Sequence, residues 1–201
     1  MTTLAFRAAT DADIPALIDL VTSAYRGDAS RAGWTTEADL LDGQRIDAAM
    51  LRADLDRPRS RIVIAEDDGR IVACAHVAEE TVDDGVKTAA FGMFSVDPAI
   101  QGGGIGKAVL AEGERIARET LGCARMRMTV IDCRDELIAY YLRRGYARTG
   151  IVKPFPYGDA RYGLPKRPDL RFEILEKILD TPLSPAMEPA RMEPARMEPA
   201  R

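Results

Sequence analysis

The stretch from Ala99 to Leu110 reads AIQGGGIGKAVL, with three consecutive glycines, a fourth at Gly106 and then Lys107. Residues of these types can hold phosphate, because glycine lets an anion approach the backbone and lysine supplies charge. A nucleotide-triphosphate loop needs G-x-x-x-x-G-K-[ST], the first glycine for the turn and the hydroxyl for magnesium. Aligned on Gly106-Lys107, the chain has Gln101 at the first glycine and Ala108 at the hydroxyl. A dinucleotide fingerprint fails as well: Lys107 stands where its third glycine belongs, and Asp97-Pro98 separates the preceding strand from the turn. A merely flexible turn leaves four glycines at a helix start without a packing reason, despite their entropic cost. What survives is a helix N-terminus with unpaired N–H donors and no side chain in an anion's way.

The elements that position this turn follow from periodicity and punctuation. Leu4 to Ala8 reads as a short strand, and Thr10 with Asp13 starts a helix that puts Ile14, Leu17, Ile18, Val21 and Tyr25 on one face. A second helix is predicted from about Glu37 to Asp56, where Arg57-Pro58 ends it. Arg61–Glu66 and Arg70–Val77 are β-branched runs joined by Asp67-Asp68-Gly69, a hairpin signal. A strand from Lys87 to Val96 leads into the glycine turn, and the helix behind it runs to about Thr120 with Ile105, Val109, Ile116 and Ala117 inward. A half-buried strand around Met126–Val130, a helix over Arg134–Arg144, a strand from Tyr146 and a last strand near Arg171–Leu175 complete the order. The fold class is α/β, a mixed central sheet of about seven strands flanked by helices.

Residues 1–180 are expected to form this one domain, and residues 181–201 a proline-rich tail of three MEPAR repeats without structure. The bulk composition excludes other classes. A net charge of −4 leaves no basic footprint for nucleic acid. The chain has no run of about 18 apolar residues for a membrane span, and no export signal is expected from the stretch MTTLAFRAATDAD. Three cysteines without CxxC spacing and a single histidine argue against a disulfide framework or a metal site, and suit a reducing cytoplasm.

Val96-x-Pro98-x-x-Gln101-x-x-Gly104-x-Gly106, with a strand before and a helix after, resembles the coenzyme A motif of the Gcn5-related N-acetyltransferase (GNAT) family, V-x-P-x-x-[QR]-x-x-G-x-[GA]. Tyr141, four residues before Gly145-Tyr146, is similar to the family's second element, and the element order matches over about residues 4 to 178. The resemblance implies the acyl-CoA N-acyltransferase fold and acetyl-CoA as cosubstrate, with no metal. Its pyrophosphate would rest on the N–H groups of Gly102, Gly103, Gly104, Ile105, Gly106 and Lys107. Its pantetheine would pair with Phe94, Ser95 and Val96, in a notch where the fourth strand splays from the fifth. The same backbone would steady the thioester carbonyl during attack by an amine. Tyr141 matches the family's general acid, which protonates the departing thiolate while its ring packs in the core beside Leu137. The acceptor would be an amine of a small molecule or peptide, with monomer and homodimer both open. A coenzyme A-binding sensor or partner-binding module without catalysis is the alternative.

Two positions depart from the family pattern. Ala90 stands where some members carry a glutamate base, and Arg134 stands where many have an asparagine, seven residues before Tyr141. The base is therefore open among Glu79, Glu80 and a water chain; His76 reads as a core or sheet residue, facing the same way as Val72 and Cys74. Cys133 is given no covalent role, because the family transfers directly. The acceptor side implied by the resemblance contains Tyr25, Trp34 and Glu37 in one segment and Phe155, Tyr157, Asp159 and Tyr162 in another. Tyr140 is expected to be an ordinary surface ring, on another helix face from Tyr141.

Overall fold

The computed structural model describes residues 4–179, so the MEPAR repeats and the expected boundary near residue 180 lie outside the described residues. Seven strands form one mixed sheet: β1 (Ala5–Ala8), β2 (Ser60–Asp67), β3 (Arg70–Glu80), β4 (Thr88–Val96), β5 (Arg125–Ile131), β6 (Ala147–Pro154) and β7 (Arg171–Ile178). Their order across the sheet is β1-β2-β3-β4-β5-β7-β6. Only the β4–β5 pair is parallel. Helices α1 (Ile14–Tyr25) and α2 (Ala48–Asp56) pack on one face, around Leu17, Val21, Leu51, Ile62 and Ile64. Helices α3 (Ile105–Arg115) and α4 (Asp135–Leu142) cover the other, around Val109, Met126, Ile138 and Leu175. No helix among the described residues is long and apolar enough to cross a membrane.

Local signals account for most of these boundaries. The β2–β3 turn uses positive φ at both Asp68 and Gly69, the hairpin geometry that this dipeptide favours. Asp13 accepts from the Thr10 N–H at 2.8 Å and from its hydroxyl at 2.9 Å, fixing the entry to α1 through a short 3₁₀ turn. The second helix, predicted from Glu37, is shorter: it begins at Ala48, where the Asp47 carboxylate accepts the Met50 N–H at 2.8 Å. Upstream of it Leu41–Asp42 pairs with Leu164–Pro165, and Gly43 takes a positive φ that a helix would not allow.

Two irregularities in the sheet create the site. The parallel β4–β5 ladder runs only from Thr88–Arg125 to Phe91–Met128, after which β5 continues against β7 while β4 continues against β3. The two strands therefore splay beyond Phe91. On its other edge β4 bulges: Gly92 faces His76 and Ser95 faces Cys74, leaving Met93 and Phe94 opposite Ala75. Met93 absorbs the extra residue at a φ of 49°, which is strained for a side chain of this size. The bulge turns Phe94 and Val96 toward the α3–α4 face and sends Met93 into the core under α1.

Candidate active site

A pocket of about 300 Å³ opens at the splay. Phe94 and Val96 of β4 form its floor, and Gly102, Gly104, Gly106 and Lys107 its glycine wall. Leu137, Tyr140, Tyr141 and Arg144 of α4 and its C-terminal flank face it from one stripe, at the i, i+3, i+4, i+7 spacing of a helix. Tyr25, Trp34 and Thr35 close the side after α1.

The glycine turn is built as the sequence implies. Gly102 and Gly104 take φ of 97° and 85°, and Gly104 caps α3 in the left-handed conformation. Gly103 has neither a positive φ nor a neighbour within 4 Å that a Cβ would strike, so neither fold nor conformation requires a glycine there. A ligand lying against the backbone would. Among the described residues, no N–H from Gly102 to Lys107 is spent on a turn or loop hydrogen bond. Gly106 is held closely, its Cβ position 3.2 Å from the Tyr140 hydroxyl and 3.3 Å from Phe94. Gly103 and Ile105 do not line the pocket, and Ser95 points away from it, its hydroxyl donating to the Met93 carbonyl at 3.2 Å.

Gln101 locks this wall to the rest. Its side chain donates to the Val96 carbonyl at 3.1 Å and accepts the Trp34 N–H at 2.9 Å, so one amide joins the strand end, the glycine turn and the segment after α1. Gly33 leaves room for it: a Cβ there would lie 2.7 Å from the amide oxygen and would push the side chain out of this position.

Tyr141 is buried in its ring, with edge contacts to Tyr140 at 5.4 Å and Tyr146 at 5.9 Å, and it lines the pocket. Burial pushes its phenol well above the ordinary tyrosine range, and nearby Tyr25 pushes the same way while Arg134 opposes them. Tyr140 is not an ordinary surface ring. It stacks with Trp34 at 5.6 Å and lies under the Arg144 guanidinium at 3.3 Å, and its buried hydroxyl has no partner among the described residues. The 137–140–141–144 stripe is the signal in the sequence that places it there. Tyr25 donates its hydroxyl to the Phe94 carbonyl at 2.9 Å, tying α1 to the bulged strand.

The candidate bases move out of the site. Glu79 pairs with Arg59 at 2.5 Å, and Glu79 and Glu80 face Ala89 and Thr88 at the start of β4, the end opposite the pocket. His76 is a sheet residue as expected, bonded to the Ser60 hydroxyl at 2.7 Å beside Asp54, and burial lowers its pKa. Cys133 is exposed and outside the pocket. Of the two acceptor segments, only the first reaches the pocket. Phe155, Tyr157 and Tyr162 pack on one another and on Phe172, and Asp159 is bound to Arg161. Glu37 is buried rather than offered to an amine: it accepts from Arg26 and from Arg134, one carboxylate oxygen each, both at 2.7 Å. Among the described residues, no group of three or more His, Cys, Asp or Glu is placed to hold a metal ion.

Comparison with known proteins agrees with this geometry. Residues 16–146 match the model of the acetyltransferase (GNAT) family. The chain belongs to the GNAT family. Among solved structures, the GNAT chain is similar to ribosomal-protein-alanine N-acetyltransferase from Brucella melitensis, at a TM-score of 0.65 and 23% identity over 87% of this chain and 99% of that one. It is also similar to yncA from Salmonella typhimurium, solved with its cofactor acetyl-CoA, at a TM-score of 0.63 and 19% identity over 92% and 98% of the two chains. At such identities the likeness is one of fold, and the seven-stranded mixed sheet with flanking helices is the GNAT acyl-CoA N-acyltransferase fold. A rice protein (Oryza sativa subsp. japonica) named "Probable glucosamine 6-phosphate N-acetyltransferase 2" is 33% identical over 96 residues. That match spans 45% of this chain and 55% of the relative's length.

Proposed function

We propose that this GNAT protein is an N-acetyltransferase that passes the acetyl group of acetyl-CoA directly to a primary amine of a small molecule or peptide. The observation that carries the reading is the convergence, in one pocket, of an anion-receptive glycine turn, a splayed strand end and a buried tyrosine. The unspent N–H groups from Gly102 to Lys107, with the α3 dipole behind them, take the pyrophosphate. Gly103, which the fold does not require to be glycine, keeps the backbone between Gly102 and Gly104 open to an anion. Phe94, Ser95 and Val96 offer strand edge to pantetheine beyond the last β4–β5 pair.

Acetyl-CoA supplies an activated acyl carbon. Transfer joins the amine nitrogen to that carbon, breaks its bond to sulfur, releases one amine proton to water and returns one proton to sulfur from the Tyr141 hydroxyl. Tyr141 suits the last step because burial keeps it protonated until an anion develops beside it. Arg134 steadies the tyrosinate that results, which solvent then reprotonates. No pocket-lining residue is a carboxylate or an imidazole, so the proton leaving the amine goes to water rather than to a side-chain base. The three free cysteines suit a reducing cytoplasm.

A thiol-release assay with acetyl-CoA and a panel of small amines and peptides tests the reading. Amine-dependent release with acetylated product supports it. Tight coenzyme A binding with no release on any amine would overturn it.

A further inference from the structure

Arg26, Glu37 and Arg134 form a buried ionic cluster behind the pocket, with side chains only 6%, 9% and 9% exposed. Two guanidinium groups share one carboxylate, so the cluster carries one uncompensated positive charge. Its hydrogen bonds are incomplete too. Arg134 spends its two terminal nitrogens on Glu37 and on the Thr35 hydroxyl, and its Nε has no partner. Arg26 leaves Nε and one terminal nitrogen unpartnered. A third guanidinium, Arg45, lies 4.8 Å over the Tyr25 ring, which itself lines the pocket. A buried charge without a counter-ion is costly, and this one lies beside an open pocket that an anion can enter.

Resting on the proposed transferase reading, we infer that the acceptor is a small primary amine that also bears an oxyanion, a carboxylate or a phosphate, which is held by Arg134 and the charge behind it. Coenzyme A does not account for this charge. Its phosphates have their own place at the glycine turn, where Lys107, Arg143 and Arg144 also line the wall. Arg134 instead faces Thr35 and Glu37 and acts on Tyr141 and Tyr25, beside the reacting centre. The acids that would attract a polycation are consumed: Glu37 by two arginines and Asp159 by Arg161. The wall the acceptor meets is therefore cationic and aromatic.

The test compares matched amines that differ only in the anion: L-methionine against L-methioninamide, and glucosamine 6-phosphate against glucosamine, with spermidine as the cationic control. Acetyl transfer is measured as kcat/KM for the neutral amine, each value corrected for that amine's own pKa, and binding of each amine to the coenzyme A-loaded protein by calorimetry. The expected result is a preference of about 10- to 100-fold for the charged member of at least one pair, the scale of one charge-assisted hydrogen bond. Which pair responds tells carboxylate from phosphate. Arg134→Gln should abolish that preference, since Glu37 then pairs with Arg26 alone and the cluster becomes neutral. Arg26→Gln removes the same charge from behind without altering the pocket wall, and should weaken the preference while leaving coenzyme A affinity unchanged. Thermal unfolding of both variants separates loss of charge from loss of fold. Equal or better use of the uncharged amines or spermidine overturns the inference and leaves the transferase reading standing. A fall in coenzyme A affinity in Arg134→Gln as large as the fall in anion preference also overturns it, because the charge then serves the cofactor. If no amine is turned over, saturable binding of a charged amine that Arg134→Gln abolishes still supports the anion site, and absence of such binding refutes it.

Discussion

Replacing Tyr141 by phenylalanine removes one oxygen from the pocket and almost nothing from the fold. The hydroxyl makes no hydrogen bond among the described residues, so no donor or acceptor is orphaned by its loss. The ring keeps its contacts with Tyr140, Tyr146 and Phe94, whose centroids lie 5.4, 5.9 and 6.5 Å away. Stability should therefore change by no more than about 0.5 kcal/mol in either direction. The chemical step should change far more. General acids contribute about 10²- to 10⁴-fold, and the contribution falls when the acid's pKa lies far from that of the group it protonates. Burial holds Tyr141 well above the ordinary tyrosine range, although the Arg134 guanidinium opposes it. A free thiol sits near 8.5, so the match is poor and the lower end of that range is expected, about 10²-fold or roughly 3 kcal/mol of barrier. Single-turnover acetyl transfer at saturating acetyl-CoA reads that step directly, and calorimetry reads cofactor affinity. The expected outcome is a hundredfold slower transfer with unchanged affinity and unchanged Tm. Transfer at the wild-type rate, with chemistry shown to limit it, would refute the role assigned to the hydroxyl. A Tm fall of many degrees would show that the residue acts through packing.

Two further outcomes follow from the same geometry. The pH dependence of kcat/KM should track the acceptor's own amine, because no carboxylate or imidazole lines the pocket and burial raises the phenols of Tyr25, Tyr140 and Tyr141. The protonated phenol is the useful form and its pKa is raised, so activity rises until the amine is neutral and does not fall through Tyr141 until above about pH 10; an inflection near pH 6 or 7 that is the same for amines of different basicity would expose a protein base. Gly113→Ala should lower Tm despite the helix propensity it gains, because the new Cβ would lie 2.7 Å from Phe91, a ring only 4% exposed. Overpacking of about 1–3 kcal/mol outweighs the gain of about 1 kcal/mol, for a fall of a few degrees in differential scanning calorimetry; a rise would show that Phe91 relaxes freely.

The parts of this fold that the sequence displays are those decided within a few residues. Asp68-Gly69 announces a hairpin, and Gly102 and Gly104 announce a left-handed turn, because φ is a property of one residue. The segment from Glu37 to Asp47 misleads for the opposite reason. Its apolar spacing suits a helix, yet Glu37 is held by Arg134, 97 residues away, and Leu41–Asp42 is paired with Leu164–Pro165. Tyr140 was obscured by its neighbour: reading Tyr141 with Leu137 alone assigns Tyr140 to another face, whereas Leu137, Tyr140, Tyr141 and Arg144 together describe one broad stripe.

The same distinction separates the two halves of the pocket. The wall proposed for the donor is made of backbone, so glycines mark it and its pattern can be read along the chain. The wall proposed for the acceptor is made of side chains drawn from α1, the segment after it and the start of α4, fastened by ion pairs that cross up to 97 residues. Such a wall can change its charge by one substitution without disturbing the sheet, the bulge or the glycine turn. Arg134 sits at that junction, adjoining the pocket on one side and Glu37 on the other, within electrostatic reach of Tyr141. On the proposed reading, a change there should alter which amine is held and how readily the phenol releases its proton. Substrate choice and acid strength would then be coupled through one guanidinium, and acceptors that place an anion on it would also weaken its support of the tyrosinate. The best acceptor is consequently not the one that neutralises Arg134 fully, and across a series of anionic amines the tightest binders should show the slower transfer step.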